Sequence, residues 1–232
     1  MQQSDTVSTK GGPLEIQPVD HASLVLRHGA QVIYVDPVGG AARYQSLARP
    51  SAILITHEHS DHFDVATLEQ LVAGKAVPML VSAGVREKLP AALKAQSRAV
   101  GYGDRGDLNG VPVRVVEAYN TTPDRLRYHP KGLGNGYVLT FSGTRVYIAG
   151  DTEPNPDMLG LKDIDIAFLP MNLPYTMVAG QAAEAVKTFR PKIVYPFHYT
   201  RGPEPETFAG LMEGVEGIEV RLRDWYPEPA AQ

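Results

Sequence analysis

The segment His57-Glu58-His59-Ser60-Asp61-His62 follows directly on the apolar run Ala52-Ile53-Leu54-Ile55, and this junction decides how the chain is read. A run of aliphatic residues after Pro50 reads as a short buried strand that stops abruptly at a polar segment. Three of the seven histidines fall inside the hexapeptide. Imidazoles crowded with a carboxylate at a strand end repel one another when protonated and go unsatisfied when neutral. A divalent cation among them removes both difficulties, because imidazole nitrogen and carboxylate oxygen are donors that suit zinc. In extended backbone His57 and His59 point the same way, since side chains alternate with period two. After a turn begun at Ser60, Asp61 and His62 can face a second, neighbouring point. One short segment can therefore serve two adjacent metal positions.

Upstream, Leu14 to Val19, Ser23 to Leu26 and Gln31 to Val35 carry alternating or continuous apolar residues and read as an opening β-meander. His21 lies in the turn between the first two of these strands, and Asp36-Pro37 closes the third. Downstream, Val65, Leu68, Leu71 and Val72 recur at helical spacing behind a capping Asp64. Met79 to Val81 reads as a strand, and Val85, Leu89 and Leu93 fit a helix blurred by Pro90. Val111 to Ala118 is a further strand, and Tyr137–Phe141 with Arg145–Ala149 make a hairpin that ends in Gly150-Asp151-Thr152. Strands at Ile164–Leu169, Ile193–Tyr195 and Ile218–Leu222 alternate with helices at Ala182–Phe189 and from Pro205 to about Met212. Strands first and helices after, twice over, is an α/β pattern. Tyr119 to Gly134 has no periodicity, and a loop this long in a compact domain points to function.

Composition narrows the partners. The 232 residues are 43% hydrophobic, enough for one sizeable core. A net charge of −4 and no run of lysines and arginines count against a nucleic-acid partner. No apolar run approaches the roughly 18–20 residues of a membrane span. The absence of cysteine excludes thiolate metal sites and fits cytoplasm and periplasm alike. The N-terminus is polar and carries no signal-peptide apolar stretch, which fits a flexible tail over 1–13, or one left by a removed leader, ahead of a single domain over 14–232.

The hexapeptide, with Thr56 before it, resembles the signature of the metallo-β-lactamase superfamily of metal-dependent hydrolases. The resemblance spans about Leu14 to Leu222. It implies a four-layer αββα sandwich and two divalent metal ions, zinc foremost and manganese or iron as alternatives. The implied ligands are His57, His59, Asp61, His62, Asp151 as the bridging carboxylate, and His198. One position departs from the pattern: where relatives carry a further histidine after the Val111–Ala118 strand, this chain has Tyr119-Asn120-Thr121. Either Asn120 ligates weakly, or His129 swings in from the long loop, or the first metal is short of a ligand. His129 is the expectation, because imidazole is the better zinc ligand. Tyr119-Asn120 together with His129-Pro130-Lys131-Gly132 resembles a small stand-alone bacterial subgroup.

The implied chemistry is hydrolysis of a small-molecule ester, lactone, amide, thioester or phosphodiester by a metal-bound hydroxide. Asp61 would also orient the nucleophile, and Tyr175 would offer its phenol to an oxyanion. Lys131 and Arg201 would take an anionic substrate group, and His21 would line the pocket. A flavodiiron-type redox role is disfavoured, because those proteins usually have glutamate where His59 stands. The alternative from another class is a non-catalytic metal-binding or sensing protein that keeps the fold.

Overall fold

The structure is a computed structural model that describes residues 4–200 and 202–226. The first half of the chain lays down β1 (Asp5–Thr9), β2 (Gly12–Asp20), β3 (Ser23–His28), β4 (Gln31–Val35), β5 (Ala52–Ile55), β6 (Met79–Val81) and β7 (Ser97–Ala99). The second half lays down β8 (Arg105–Leu108), β9 (Val111–Ala118), β10 (Gly134–Phe141), β11 (Thr144–Ile148), β12 (Ile166–Pro170), β13 (Ile193–Phe197) and β14 (Glu219–Val220). Each set forms one sheet in which spatial order equals chain order. In both sheets the first four strands pair antiparallel through short turns. In both, the last four pair parallel. Parallel pairing needs a crossover, and helices supply most of them: α1 (Val65–Val72), α2 (Ala83–Lys88) and α3 (Ala91–Lys94) in the first half, α4 (Pro156–Leu159), α5 (Ala179–Phe189) and α6 (Glu204–Leu211) in the second.

Three apolar layers hold these elements together. Leu14, Ile16, Leu24, Leu26, Ile33 and Leu54 of the first sheet pack on Val113, Val115, Tyr137, Leu139, Ile148 and Phe168 of the second. The opposite face of the first sheet (Val25, Tyr34, Ile53, Ile55) is covered by Leu68, Val72, Val85 and Leu89 of the helical side. The opposite face of the second (Val138, Tyr147, Ala167, Leu169) is covered by Ala182, Ala183, Val186 and Phe189 of α5. Helix, sheet, sheet, helix is the four-layer sandwich.

The elements that sequence reading missed are the polar ones. Asp5–Thr9, expected within a flexible tail, pairs along its length with β2, and its Asp5 carboxylate accepts from Tyr195 Oη and Arg223 Nη2, each at 2.6 Å. Strands β1, β7 and β8 lie at sheet edges, where polar residues are tolerated and no apolar period marks them. Pro90 does not blur one helix but separates two, capping α3 after α2 ends at Lys88. The last strand shrinks to Glu219–Val220.

The aperiodic stretch from Tyr119 is tied down by side chains instead of by a ladder. Glu153, just past β11, is fully buried, and its carboxylate accepts from the backbone N–H of Thr121 (2.7 Å) and Thr122 (2.6 Å). The same carboxylate lies 2.7 Å from Arg125 Nη1, which also donates to Thr176 O at 2.9 Å. Asn120 closes the loop, its N–H donating to His129 O (2.8 Å) and its Nδ2 to Tyr175 O (2.7 Å). Glu153→Gln should therefore lower stability by about 1–3 kcal/mol, the range for a buried group left without its charged partner. Limited proteolysis should find new cleavage between Thr121 and His129. A variant with unchanged melting temperature and an uncut loop would refute this account.

Candidate functional site

The site sits where strand ends of both sheets meet. At the end of β5, Thr56 donates its N–H to Asp36 Oδ1 (2.8 Å) and its hydroxyl to Asp36 Oδ2 (2.7 Å), while Thr56 O accepts from Asn135 N of the other sheet at 3.0 Å. The chain then turns: the N–H groups of His62 and Phe63 both donate to His59 O at 2.9 Å. That turn separates His57 and His59 from Asp61 and His62, as the spacing predicts. Asp151 arrives from the other half behind Gly150, whose φ of 65° favours glycine. A Cβ on Gly150 would meet Asn135 O of its own half at 2.7 Å and Thr56 Cβ of the other at 3.3 Å, so only hydrogen fits where this strand end packs against both.

Two clusters result, and Asp151 belongs to both. In the first, His59 Nδ1 lies 3.1 Å from His57 Nε2 and 3.2 Å from His129 Nε2, and Asp151 Oδ2 lies 3.2 Å from His129 Nε2 and 3.8 Å from His57 Nε2. In the second, Asp151 Oδ1 lies 3.3 Å from both His62 Nε2 and His198 Nε2, and Asp61 Oδ2 lies 3.3 Å from His198 Nε2 and 3.8 Å from His62 Nε2. His21 Nε2 joins from the β2–β3 turn, 3.3 Å from Asp61 Oδ2. The long loop thus brings His129, and not Asn120, to the cluster. The Asn120 Nδ2 donates to the carbonyls of Arg125 and Tyr175, while its buried Oδ1 has no hydrogen-bond partner.

The donor set fits a cation. His62 Nε2, His198 Nε2 and Asp151 Oδ1 are buried and have no hydrogen-bond partner, an arrangement that is costly unless something positive joins them. The ligand atoms of His57, His59, His129 and Asp151 all lie within 4.8 Å of one another, as do those of His62, Asp151 and His198. His21, Asp36 and His198 hold left-handed backbone, with φ of 49°, 45° and 47°. Such conformations cost on the order of 1–3 kcal/mol in non-glycine residues and gather at functional sites.

Electrostatics follow from burial. Desolvation first, then the neighbouring His62, holds His57 well below the usual imidazole range. His59 is lowered by burial and by His129, and His198 by burial that outweighs Asp151. His62 goes the other way. Burial opposes its charged form, but Asp151 and Asp36 flank it and together raise it well above the usual value. Burial opposes the Asp151 carboxylate too, yet His198 and His62 hold it ionised well below the carboxylate range. For Asp61 burial is outweighed by the imidazoles of His198 and His21, each 3.3 Å from Oδ2, which lower it.

The clusters open into a pocket of about 540 Å³ walled by Ser60, Arg127, Tyr128, Asn172 and Tyr175. Tyr175 is half exposed there, where a phenol can reach a substrate. Lys131, expected at an anionic substrate group, is elsewhere: its ammonium lies 3.4 Å from Glu117 Oε2 and over the Tyr119 ring, which satisfies it away from the pocket. Among the described residues, Arg127 is the cation on the pocket wall. Arg201 lies outside the described residues. Sequence reading also missed Asp36, whose Oδ2 accepts from His62 Nδ1 at 2.8 Å, and Glu153, which anchors the loop. Asp36 had a signal. It ends a strand parallel to and beside β5, so it must emerge next to Thr56.

Comparisons with known proteins agree with this geometry. Residues 22–199 match the family described as the beta-lactamase superfamily domain. A protein of Pyrobaculum islandicum named a metal-dependent hydrolase is 31% identical over 225 residues, covering 90% of this chain and 96% of that one. A crystal structure from Parabacteroides distasonis, described as a candidate metal-dependent hydrolase, superposes with a TM-score of 0.87 at 40% identity, covering 98% of this chain and all of the other. The metallo-beta-lactamase fold protein YhfI of Bacillus subtilis shares the fold, with a TM-score of 0.71 at 13% identity over 88% of each chain. A single carboxylate shared by two histidine clusters at the seam of a four-layer sandwich, and relatives that match along nearly the whole chain, lead to one assignment: the chain belongs to the beta-lactamase superfamily.

Proposed function

We propose that this metal-dependent hydrolase holds two divalent cations side by side and cleaves a small-molecule ester, lactone, amide or phosphodiester. The observation that carries the reading is Asp151, which turns one oxygen to each histidine cluster. His57, His59, His129 and Asp151 would hold one cation; Asp61, His62, His198 and Asp151 would hold the other. Nitrogen and carboxylate donors of this kind suit zinc best and also accept manganese or iron. Such cations supply Lewis acidity, polarising a substrate oxygen and making a bound water acidic.

The chain's own side chains do the rest. Asp61 is the half-exposed carboxylate of the centre, with 45% of its side chain accessible, so it can accept a hydrogen bond from the attacking water and orient it. Asp36 holds His62 by Nδ1, and Tyr175 O holds His129 by Nδ1 at 2.9 Å, which aims both Nε2 atoms inward. The Tyr175 phenol on the pocket wall can donate to the oxygen on which negative charge develops. Arg127, on the same wall, gives an anionic part of the substrate a partner.

Elemental analysis of gently purified protein should find close to two cations per chain. Asp151→Asn should fall below one, because the same carboxylate serves both positions. A folded protein that carries no metal and gains no stability from added zinc would refute the reading.

Asp61→Asn, compared at matched metal content, should lose at least about 10²-fold in turnover. The reporter substrate would come from a panel of chromogenic phosphodiesters, lactones and β-lactams. Near-normal turnover in that variant would remove Asp61 from its role.

Metal retention should fall as pH drops through about 6 to 5, because ligating imidazoles must be neutral. The sign follows from the shifts. His57 and His59 are lowered, so their folded environment favours the neutral ring and loses that advantage as acid protonates them. His62 is raised, so its proton stabilises the metal-free fold below the ordinary value, and that contribution disappears as pH rises through its folded value. Metal uptake at pH 7 should therefore release protons, measurable with an indicator dye in weak buffer. Uptake without proton release would contradict the protonated His62.

A further inference from the structure

His21 is more deeply involved than a residue lining a pocket. Its side chain is 19% exposed, its ring centroid lies 3.9 Å from that of His198, and its Nε2 lies 3.3 Å from Asp61 Oδ2. The ligand atoms of His21, Asp61 and His198 all lie within 4.8 Å of one another. Donors about 2.0–2.2 Å from a shared cation stand at most about 4.4 Å apart, so this spacing is close to a coordination sphere.

Orientation separates a metal-side histidine from one that merely packs. A ligating imidazole usually has its second nitrogen fixed by a hydrogen bond, which sets the tautomer and aims the first. His62 is fixed by Nδ1 to Asp36 and His129 by Nδ1 to Tyr175 O. His21 follows the same rule, with Nδ1 against Tyr226 Oη. Once Nδ1–H donates to the phenol, the lone pair of Nε2 faces Asp61 and the second cluster. The backbone is held as firmly. His21 N donates to Trp225 O at 3.0 Å, His21 O accepts from His198 N at 3.1 Å, and Trp225 is fully buried. The C-terminal segment and the end of β13 together clamp His21 in its left-handed conformation, φ 49°.

We infer that His21 is a fifth donor to the second cation position, beside Asp61, His62, Asp151 and His198, with Tyr226 as the residue that orients it. The inference rests on the two-cation reading above and adds an asymmetry to it: the first position has four protein donors, the second has five. The second position then has the fuller set of protein donors, and the first has the more room for a donor from substrate or water.

The test is zinc binding to the metal-free protein, followed by competition with a chromogenic chelator. The wild type should take up two equivalents. His21→Asn, which tolerates left-handed backbone, should keep the first and weaken the second by at least about 10- to 100-fold, the range for losing even a partner that orients a ligand. Tyr226→Phe keeps the ring but frees Nδ1, and should weaken the same equivalent by a smaller factor. Circular dichroism and melting of the metal-free variants establish that each is folded, and Tyr226→Phe carries the test alone should His21→Asn not fold. A wild type that binds fewer than two equivalents overturns the proposed function and this inference with it. A two-equivalent wild type matched by both variants, with only KM raised, overturns this inference alone and makes His21 a substrate contact.

Discussion

Thr56 is the point on which the arrangement turns. Two packed sheets are normally kept about 10 Å apart by their side chains. Here Thr56 O accepts a backbone hydrogen bond from Asn135 in the opposite sheet, and Gly150 presses against the Thr56 side chain from the same side. Tyr137 Oη adds a second link, donating to Ile55 O at 2.8 Å. The sheets are thus pulled together at one edge of the sandwich. At that edge β4, β5, β11 and β13 release Asp36, the hexapeptide, Asp151 and His198, each starting within a few residues of the end of its own strand. The apolar core elsewhere supplies most of the burial. The polar pinch at Thr56 sets where the charged groups meet.

The charges themselves need that enclosure. A carboxylate as buried as Asp151 needs close partners, and three imidazoles lie within 3.3 Å of its oxygens, with His62 among them favouring its proton. Conversely, the uncharged state that burial imposes on His57 and His59 is the state a metal ligand requires. Burial and ligation push in the same direction for these two. For His62 they push apart, since Asp36 and Asp151 favour a proton where a cation would sit. This tension belongs to a site shaped for a positive occupant.

Most of the fold was legible before the structure because the strands facing the central core carry apolar residues at regular spacing. The hexapeptide was legible for another reason: three histidines in six residues behind a buried strand have few structural uses. What escaped was polar or non-local. The edge strands β1, β7 and β8 show no apolar period. Asp36 and Glu153 act through hydrogen bonds to residues at distant chain positions, which no local pattern encodes. His129 could be favoured over Asn120 on ligand chemistry, but the loop that delivers it depends on Glu153 and Arg125, and neither has a motif. Lys131 shows the opposite failure. A lysine near a catalytic segment looks available in sequence, yet Glu117 and Tyr119 hold it outside the pocket.

The duplicated order of strands has a consequence for how the protein could hold together. Neither half contains a complete cluster: His57 and His59 face His129 and Asp151 across the seam, and Asp61 and His62 face Asp151 and His198. The chain has no cysteine, so no disulfide can join its halves. Cations bound at the seam would act as reversible cross-links, closing loops of roughly 70 to 140 residues, lengths at which a cross-link removes much entropy from the unfolded chain. A metal-loaded centre would then act as a rivet as well as a reaction site, adding to the apolar core that already joins the two halves.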